Sequence, residues 1–368
     1  MLKSYFQVAI RNFWKNKTFS LINIFGLAIG ISASLVIYLL VQYDFSFDKF
    51  HASADRIYRV VSDFEFAGEA FHNPGVTSPM GNTLRKEATG LELVVPFRTA
   101  DDDTKVTVPA KGIVQPAAFK KQKDIVYVDA AYFSLFNYKW LAGAPATALA
   151  APYQLVLTAS LAKKYFPALP LQAVPGNELY LNDSVRFTVS GVVEDLVKPT
   201  DFSFKAFASR ATLETARMKP DNEDDWNSTN SASQLLVRIA PGSTVANIEK
   251  NLRGIANKYR KQEKNDHSKT SYQLQPLADI HFNATYGVYG DRQAHKPTLY
   301  GLLAVAAFLL LLGCINFINL TTAQASQRAK EIGIRKTMGS SRRQLMGQFL
   351  SETFLITTIA TLDRKSVV

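Results

Sequence analysis

The stretch Arg328-Ala329-Lys330-Glu331-Ile332-Gly333-Ile334-Arg335-Lys336-Thr337-Met338-Gly339 decides how this chain is read. It follows an apolar run from about Leu299 to Leu320 that is long enough to cross a bilayer. Taken as a helix, it places Arg328, Glu331 and Arg335 on one face, with Glu331 and Arg335 at the favourable i, i+4 spacing. Ala325, Ala329 and Ile332 form a neighbouring small and apolar stripe. Gly333 falls inside the helix, where glycine costs about 1 kcal/mol relative to alanine, so close packing against the backbone is expected there. Gly339 reads as a C-cap, with Ser340 and Ser341 as N-cap candidates for a following helix. A basic stop-transfer flank would account for the charge alone. The interior glycine and the second helix favour a docking element.

A first apolar run spans about Leu21 to Val41, and no charged residue occurs from Thr18 to Tyr43. Roughly 20 helical residues cover ~30 Å, one hydrocarbon thickness. Ala52-Ser53-Ala54 resembles a signal-cleavage site, but the run exceeds the ~7–15 residues of a signal core, and Asp44, Asp48 and Lys49 intervene. An uncleaved span is expected. Gly26 and Gly30 form a GxxxG step extended by Ser34, which lets another helix approach closely. Asn316 and Asn319 lie inside the second run, where polar amides favour a helix–helix interface over lipid. Ahead of the first span, Leu2, Phe6, Ile10 and Phe13 recur at helical spacing among Lys3, Arg11 and Lys15, which reads as an interfacial amphipathic helix over residues 1–20. Beyond Arg343 a third apolar segment, 344–362, is too short to span and reads as a truncated membrane helix. The polar end Asp363-Arg364-Lys365-Ser366-Val367-Val368 reads as appended library sequence rather than protein.

The net charge of +11 resembles a nucleic-acid signal until it is mapped. Residues 1–43 carry four bases and no acid, and 321–343 carry six bases against Glu331 alone, whereas Asp44 to Thr298 holds 30 basic and 28 acidic residues. The excess flanks the apolar runs, which is the positive-inside pattern and not a DNA-binding stripe. Nucleic acid is therefore excluded as a partner. The flanks, with the N-terminus, are expected in the cytoplasm and residues ~43–298 outside it. The single cysteine, Cys314, lies in the second run, so the exported part has no disulfide and depends on its core.

The exported part, 43–298, is expected to be α+β. Strand-like runs occur at Ile57–Val61, Ile125–Val128, Leu155–Thr158, Glu178–Leu181, Val185–Val193 and Leu235–Ile239. Helical patterns fit Ala159–Phe166 and Val245–Lys264, and Leu235–Ile239 with that second helix and Tyr272–Leu277 makes a strand–helix–strand unit. Breaks near 73–81, 167–177 and 217–230 separate the pieces, and the last could join two subdomains. The fold class is thus a membrane protein: transmembrane α-helices plus a large α+β extracytoplasmic domain inserted between helix 1 (21–42) and helix 2 (299–321), with 322–343 as a cytoplasmic coupling segment.

Catalytic chemistry is hard to find. His51, His72, His267, His281 and His295 are scattered without metal-ligand spacing and read as surface or satisfied residues. Asp101-Asp102-Asp103 could bind a hard cation, but adjacent carboxylates in a loop are usually solvated. GxxxxGK[ST], HExxH and GxSxG are all absent. No catalytic, metal or cofactor residue is expected in this chain, and any ATP chemistry belongs to another one.

In order along the chain, Asn23-Ile24-Phe25-Gly26-Leu27-Ala28-Ile29-Gly30, Phe47-Asp48-Lys49-Phe50-His51, Arg56-Ile57-Tyr58-Arg59-Val60, Leu155-Val156-Leu157-Thr158, Gly191-Val192-Val193-Glu194-Asp195, Cys314-Ile315-Asn316-Phe317-Ile318-Asn319-Leu320 and then Arg328 to Gly339 form a specific series. The chain resembles the MacB/FtsX-type ABC transporter permeases with a MacB-like periplasmic core. The resemblance implies a permease in a bacterial inner membrane, working with a separate ABC ATP-binding subunit that binds ATP-Mg. A second permease copy or repeat, membrane lipid, and an outer-membrane or periplasmic protein are the further partners it implies. ATP hydrolysis would move the periplasmic domain for efflux, lipoprotein release or envelope signalling. Carried onto this sequence, the ATPase-coupling positions are Glu331, Gly333, Arg335, Lys336 and Gly339; the helix-packing positions, read from spacing and polarity above, are Gly26, Gly30, Ser34, Asn316 and Asn319. A membrane-anchored sensor is the alternative, although another hydrophobic segment, rather than an output domain, follows Leu320. A membrane-tethered enzyme fits less well still.

Overall fold

The structure, a computed structural model, describes residues 17–66, 68–109, 116–260, 269–290, 292–339, 341–343, 345–347, 350 and 354. The side chains of Phe19, Ser20, Gln324, Ala325, Ser326, Gln327, Arg328, Lys330, Glu331 and Arg335 also lie outside what is described. Residues 1–16 of the interfacial helix expected over 1–20, most of the third apolar segment and the 363–368 tail therefore fall outside the described residues, while 17–20 open the first long helix. The chain divides into two units, Met1–Phe45 with His295–Val368, and Ser46–Ala294.

In chain order, α1 (Lys17–Phe45) leads into the second unit through a short 3-10 turn at Ala54–Arg56. There follow β1 (Ile57–Phe66), β2 (Glu69–Asn73), β3 (Val76–Thr77), α2 (Met80–Glu87), β4 (Leu91–Thr99), β5 (Thr104–Val108), β6 (Ala117–Gln122) and β7 (Ile125–Val128). Next come α3 (Ala130–Phe136), β8 (Trp140–Ala142), β9 (Gln154–Thr158), α4 (Ala159–Tyr165), β10 (Glu178–Leu181), β11 (Val185–Val193), β12 (Ala206–Ser209) and β13 (Thr229–Asn230). The chain continues through β14 (Ser233–Ile239), α5 (Val245–Tyr259), β15 (Lys269–Pro276) and α6 (Leu277–Ile280) into α7 (Lys296–Thr337).

The strands β15-β1-β14-β4 lie side by side and pair antiparallel. Because β1–α2–β4 and β14–α5–β15 each leave room for one strand between their own two, this is a pair of split βαβ units, a ferredoxin-like arrangement. The strand–helix–strand unit read from 235–277 is present, but β1 sits between its strands, which no local periodicity reveals. Residues 100–232 are inserted between β4 and β14. They prolong the sheet as β7-β12-β9-β11-β10-β5-β6, with β8 on β11 and β2 on β1. The two parts of the sheet are stitched by Arg98↔Tyr127 and Thr99↔Val126. The segment 217–230 carries the chain back from the insertion toward β14.

β4 lies outside the strand-like runs of the sequence, and its Pro96 is unexpected in a strand paired on both sides. The structure accommodates it by pairing Pro96 with Leu235 of β14 while β7 reaches only Arg98 and Thr99 on the other side. Beneath this part of the sheet, α3 starts at an Asp129 cap, whose side chain accepts from the Ala131 amide at 3.0 Å. It buries Tyr132, Phe133 and Phe136 against Phe97, Phe202 and Phe207. A second cluster gathers Leu155, Leu157, Leu179 and Phe187 under α4, and a third packs α2 and α5 on Val60, Leu235 and Val237 through Leu84, Ile248 and Leu252. Helix α5 ends at Tyr259, short of the Lys264 expected, and 261–268 are not described.

In the other unit, α7 is 42 residues long, roughly 63 Å at 1.5 Å per residue. The apolar part, Lys296–Ala323, and the basic segment behind it are one uninterrupted helix, with Pro297 in the first turn where a missing N–H costs nothing. No proline or other strong breaker lies between Leu320 and Thr337, and Gly333 alone does not stop the helix. The stop comes at Met338, with Gly339 at φ +92° just beyond and its amide donating to the Lys336 carbonyl at 3.2 Å.

Candidate functional site

The helix crossing comes first. α1 and α7 run antiparallel, and small residues let their backbones meet. A Cβ on Gly26 would stand 2.9 Å from Nδ2 of Asn316. One turn on, a Cβ on Gly30 would be 3.3 Å from the Leu309 carbonyl oxygen and 3.6 Å from Cα of Gly313. Another turn on, Ser34 Oγ donates to the Ala306 carbonyl at 2.7 Å. Ile24 and Leu27 flank this lane and pack with Ala28, Ile31 and Phe317, and the rings of Phe45 and Tyr300 close its far end at 5.8 Å. Asn319 is exposed on α7 and takes no part in the crossing contacts given by Gly26, Gly30 and Ser34. Gly313 was not singled out from the sequence; a glycine one turn before Asn316 in an apolar run was the available signal.

The basic end of α7 carries the candidate coupling positions. Within this chain a Cβ on Gly333 would meet nothing within 4 Å, and Lys336 and Gly339 are exposed. The backbone of Glu331 and Arg335 is helical, and their side chains lie outside the described residues, so the i, i+4 pair is not described.

A third constellation was missed from sequence. In the Ser46–Ala294 unit, three segments distant in sequence converge on two buried His–Asp pairs. Asp48, 2 % exposed and at φ +55°, accepts with Oδ1 from Thr200 Oγ1 and pairs with His51 Nε2 at 3.0 Å, while Oδ2 accepts from the Asp201 amide at 3.1 Å. The Asp48 amide in turn donates to the Pro199 carbonyl at 3.1 Å. Asp201 Oδ1 pairs with His281 Nδ1 at 3.1 Å. Burial pushes the Asp201 carboxyl above its ordinary value, with the His281 hydrogen bond and charge opposing. Phe47 stacks on the His281 ring at 3.6 Å, and the His281 carbonyl accepts from the Ala294 amide at 3.0 Å. His51 Nδ1 and Asp201 Oδ2 are buried without a hydrogen-bond partner. The histidines look scattered in sequence because His51 and His281 are linked only through Asp48 and Asp201, which the fold brings together.

Close by, Arg59 is fully buried; its Nε donates to Gln275 Oε1 and Nη2 to the Gly287 carbonyl, both at 2.9 Å, and its guanidinium lies 5.2 Å from the Tyr289 ring centroid. Asp101, Asp102 and Asp103 are exposed, and among the described residues no group of three or more His, Cys, Asp or Glu is placed to hold a metal.

Two apolar helices of mean hydropathy 2.5 around an α+β unit of some 249 residues define a membrane protein with a large extracytoplasmic domain. The MacB-like periplasmic core domain family matches residues 20–255, and the FtsX-like permease C-terminal family matches residues 303–362. The chain belongs to the MacB-like family and is a permease of the MacB/FtsX type.

The macrolide export ATP-binding/permease protein MacB of Nitrobacter winogradskyi is 26 % identical over 56 % of this chain and 28 % of its own length. The ABC transporter permease YknZ of Bacillus subtilis is 35 % identical over 27 % of this chain and 23 % of its own. The chain thus spans about a quarter of the length of these curated relatives. A crystal structure of a domain assigned to a permease of Porphyromonas gingivalis superposes with a TM-score of 0.52 and 18 % identity, covering 70 % of this chain and all of that one, which shows the shared fold.

Proposed function

We propose that this chain is the permease subunit of an ABC transporter, in which a separate ATP-binding subunit drives movement of the Ser46–Ala294 unit. The observation that carries the reading is the continuity of α7: a basic terminus, an apolar span and a small-residue crossing with α1 lie on one rigid rod. A push on its basic end cannot be absorbed by a loop, because none interrupts the helix. The FtsX-like match spans that same basic end, which supports a docking role for Glu331, Gly333, Arg335, Lys336 and Gly339. The partner supplies ATP-Mg and its hydrolysis; this chain supplies the lever. On this reading the N-terminus and the basic segment are cytoplasmic, residues ~43–298 are periplasmic, and the membrane is the bacterial inner membrane. A second permease copy completes the assembly. The work done is efflux, lipoprotein release or envelope signalling.

The test is Glu331→Lys in the full-length chain co-expressed with its ATPase subunit. Membrane insertion should be retained while co-purification and stimulated ATPase activity are lost. Unchanged complex and unchanged ATPase activity would remove the docking role.

A further inference from the structure

We infer that the clasp of Asp48, Thr200, Asp201 and His281 is the joint through which helix movement reaches the extracytoplasmic unit, with these four as positioning residues. The inference rests on the proposed permease function. Ser46 follows α1 directly and Ala294 precedes the His295 that caps α7, so the covalent chain enters and leaves the unit through 46–48 and 292–294. A slack linker at those places would dissipate helix movement. The structure has the opposite. Phe47, one residue past Ser46, is stacked on the His281 ring, and Ala294 is hydrogen-bonded to the backbone of that same His281. Both ends of the unit are therefore fastened to one residue.

Asp48 supplies the grip. It is buried, its backbone is left-handed although it is not glycine, and its amide and both carboxylate oxygens are engaged by 199–201 and His51. A buried carboxylate cannot drift from its donors without losing solvation that no water replaces. At positive φ the Asp48 backbone carries a modest strain that its hydrogen bonds hold in place. The clasp is then continued into the body of the domain, since Phe202 next to Asp201 lies in the aromatic core with Phe97, Phe136 and Phe207. Displacement enters at Phe47 and Ala294 and leaves through Phe202 into the sheet.

The experiment uses the full chain with its ATPase subunit in lipid nanodiscs. Spin labels are placed at Phe66→Cys, exposed at the β1–β2 hairpin, and Leu40→Cys, exposed on α1, in a Cys314→Ala background. The distance between them is read without nucleotide and with ATP trapped. Thr200→Val and Asp48→Asn should preserve ATPase stimulation yet at least halve the nucleotide-dependent shift and broaden the distribution. Thr200→Ser, which keeps the hydroxyl, should behave as the unaltered chain. A short Gly-Ser insertion at each of the two junctions, Phe45–Ser46 and Ala294–His295, tests mechanical transmission itself. If the insertions leave the shift unchanged, the permease lever is wrong. If the insertions abolish the shift while Thr200→Val and Asp48→Asn do not, the clasp is not the joint. Should Asp48→Asn fail to assemble, the Thr200→Val and Thr200→Ser pair decides.

Discussion

Phe47 lies almost flat on His281, with ring centroids 3.6 Å apart and 15° between the planes. The stack covers the imidazole whose Nδ1 faces Asp201, and burial raises the Asp201 carboxyl against the pull of its own histidine. An aromatic residue two positions past a membrane helix thereby covers the histidine that pairs with an aspartate 154 positions further along the chain.

That relationship gives a pH dependence of known sign. Asp201 binds its proton more tightly folded than unfolded, so its contribution to stability is complete below the ordinary value of 3.8 and is lost as pH rises toward the folded value. Asp201→Asn is neutral throughout. The melting temperature of the variant relative to the unaltered chain should therefore climb as pH rises through this window. A difference independent of pH would show that Asp201 titrates normally.

The α1–α7 crossing should tolerate very little at Gly30. A Cβ there already presses on the Leu309 carbonyl at 3.3 Å, and backbone cannot swing aside as the Asn316 amide beside Gly26 can. Gly30→Leu is expected to cost ~1–3 kcal/mol by overpacking. Ser34→Ala, which removes the bond to Ala306, is expected to cost about 0.6 kcal/mol. Titration of the full chain with a denaturing detergent ranks the two, and equal midpoints would mean that the helices do not meet at Gly30.

Gly333 has an open face in this chain, so a larger side chain there is compatible with the chain's own fold. Gly333→Leu should leave insertion and thermal stability within about 0.5 kcal/mol of the unaltered chain, as for an ordinary surface change. It should weaken capture of the ATPase subunit. Loss of the chain itself would mean the glycine serves internal packing, and full capture would mean it is incidental.

Phe207 is fully buried and touches the rings of Tyr132, Phe133 and Tyr138, with centroids between 5.1 and 5.6 Å. Phe207→Ala should destabilise the extracytoplasmic unit by ~3–5 kcal/mol. Denaturant unfolding followed by near-ultraviolet circular dichroism would register this, since those rings are its chromophores.

Runs of one composition were legible in the sequence. The two spans, the charge flanks, and strands such as Ile125–Val128 and Val185–Val193 announce themselves because hydrophobicity with a fixed period is a local property. Gly26, Gly30 and Ser34 recur at every fourth position, a spacing that permits close approach without by itself demanding it. β4 stayed hidden because its Pro96 is tolerated by pairing that only distant partners reveal.

The amino-acid order by itself determined that two greasy helices bracket a balanced α+β unit, because transfer of side chains out of water depends on the residues alone. What it could not determine was that β1 would separate β14 from β15, or that Asp48, Thr200, Asp201 and His281 would share one dry pocket. Those are contacts between residues as much as 233 positions apart, and a hydrogen bond gains its full worth only once packing has removed the competing water. The tertiary structure performs that removal, and with it turns four unremarkable polar residues into a clasp.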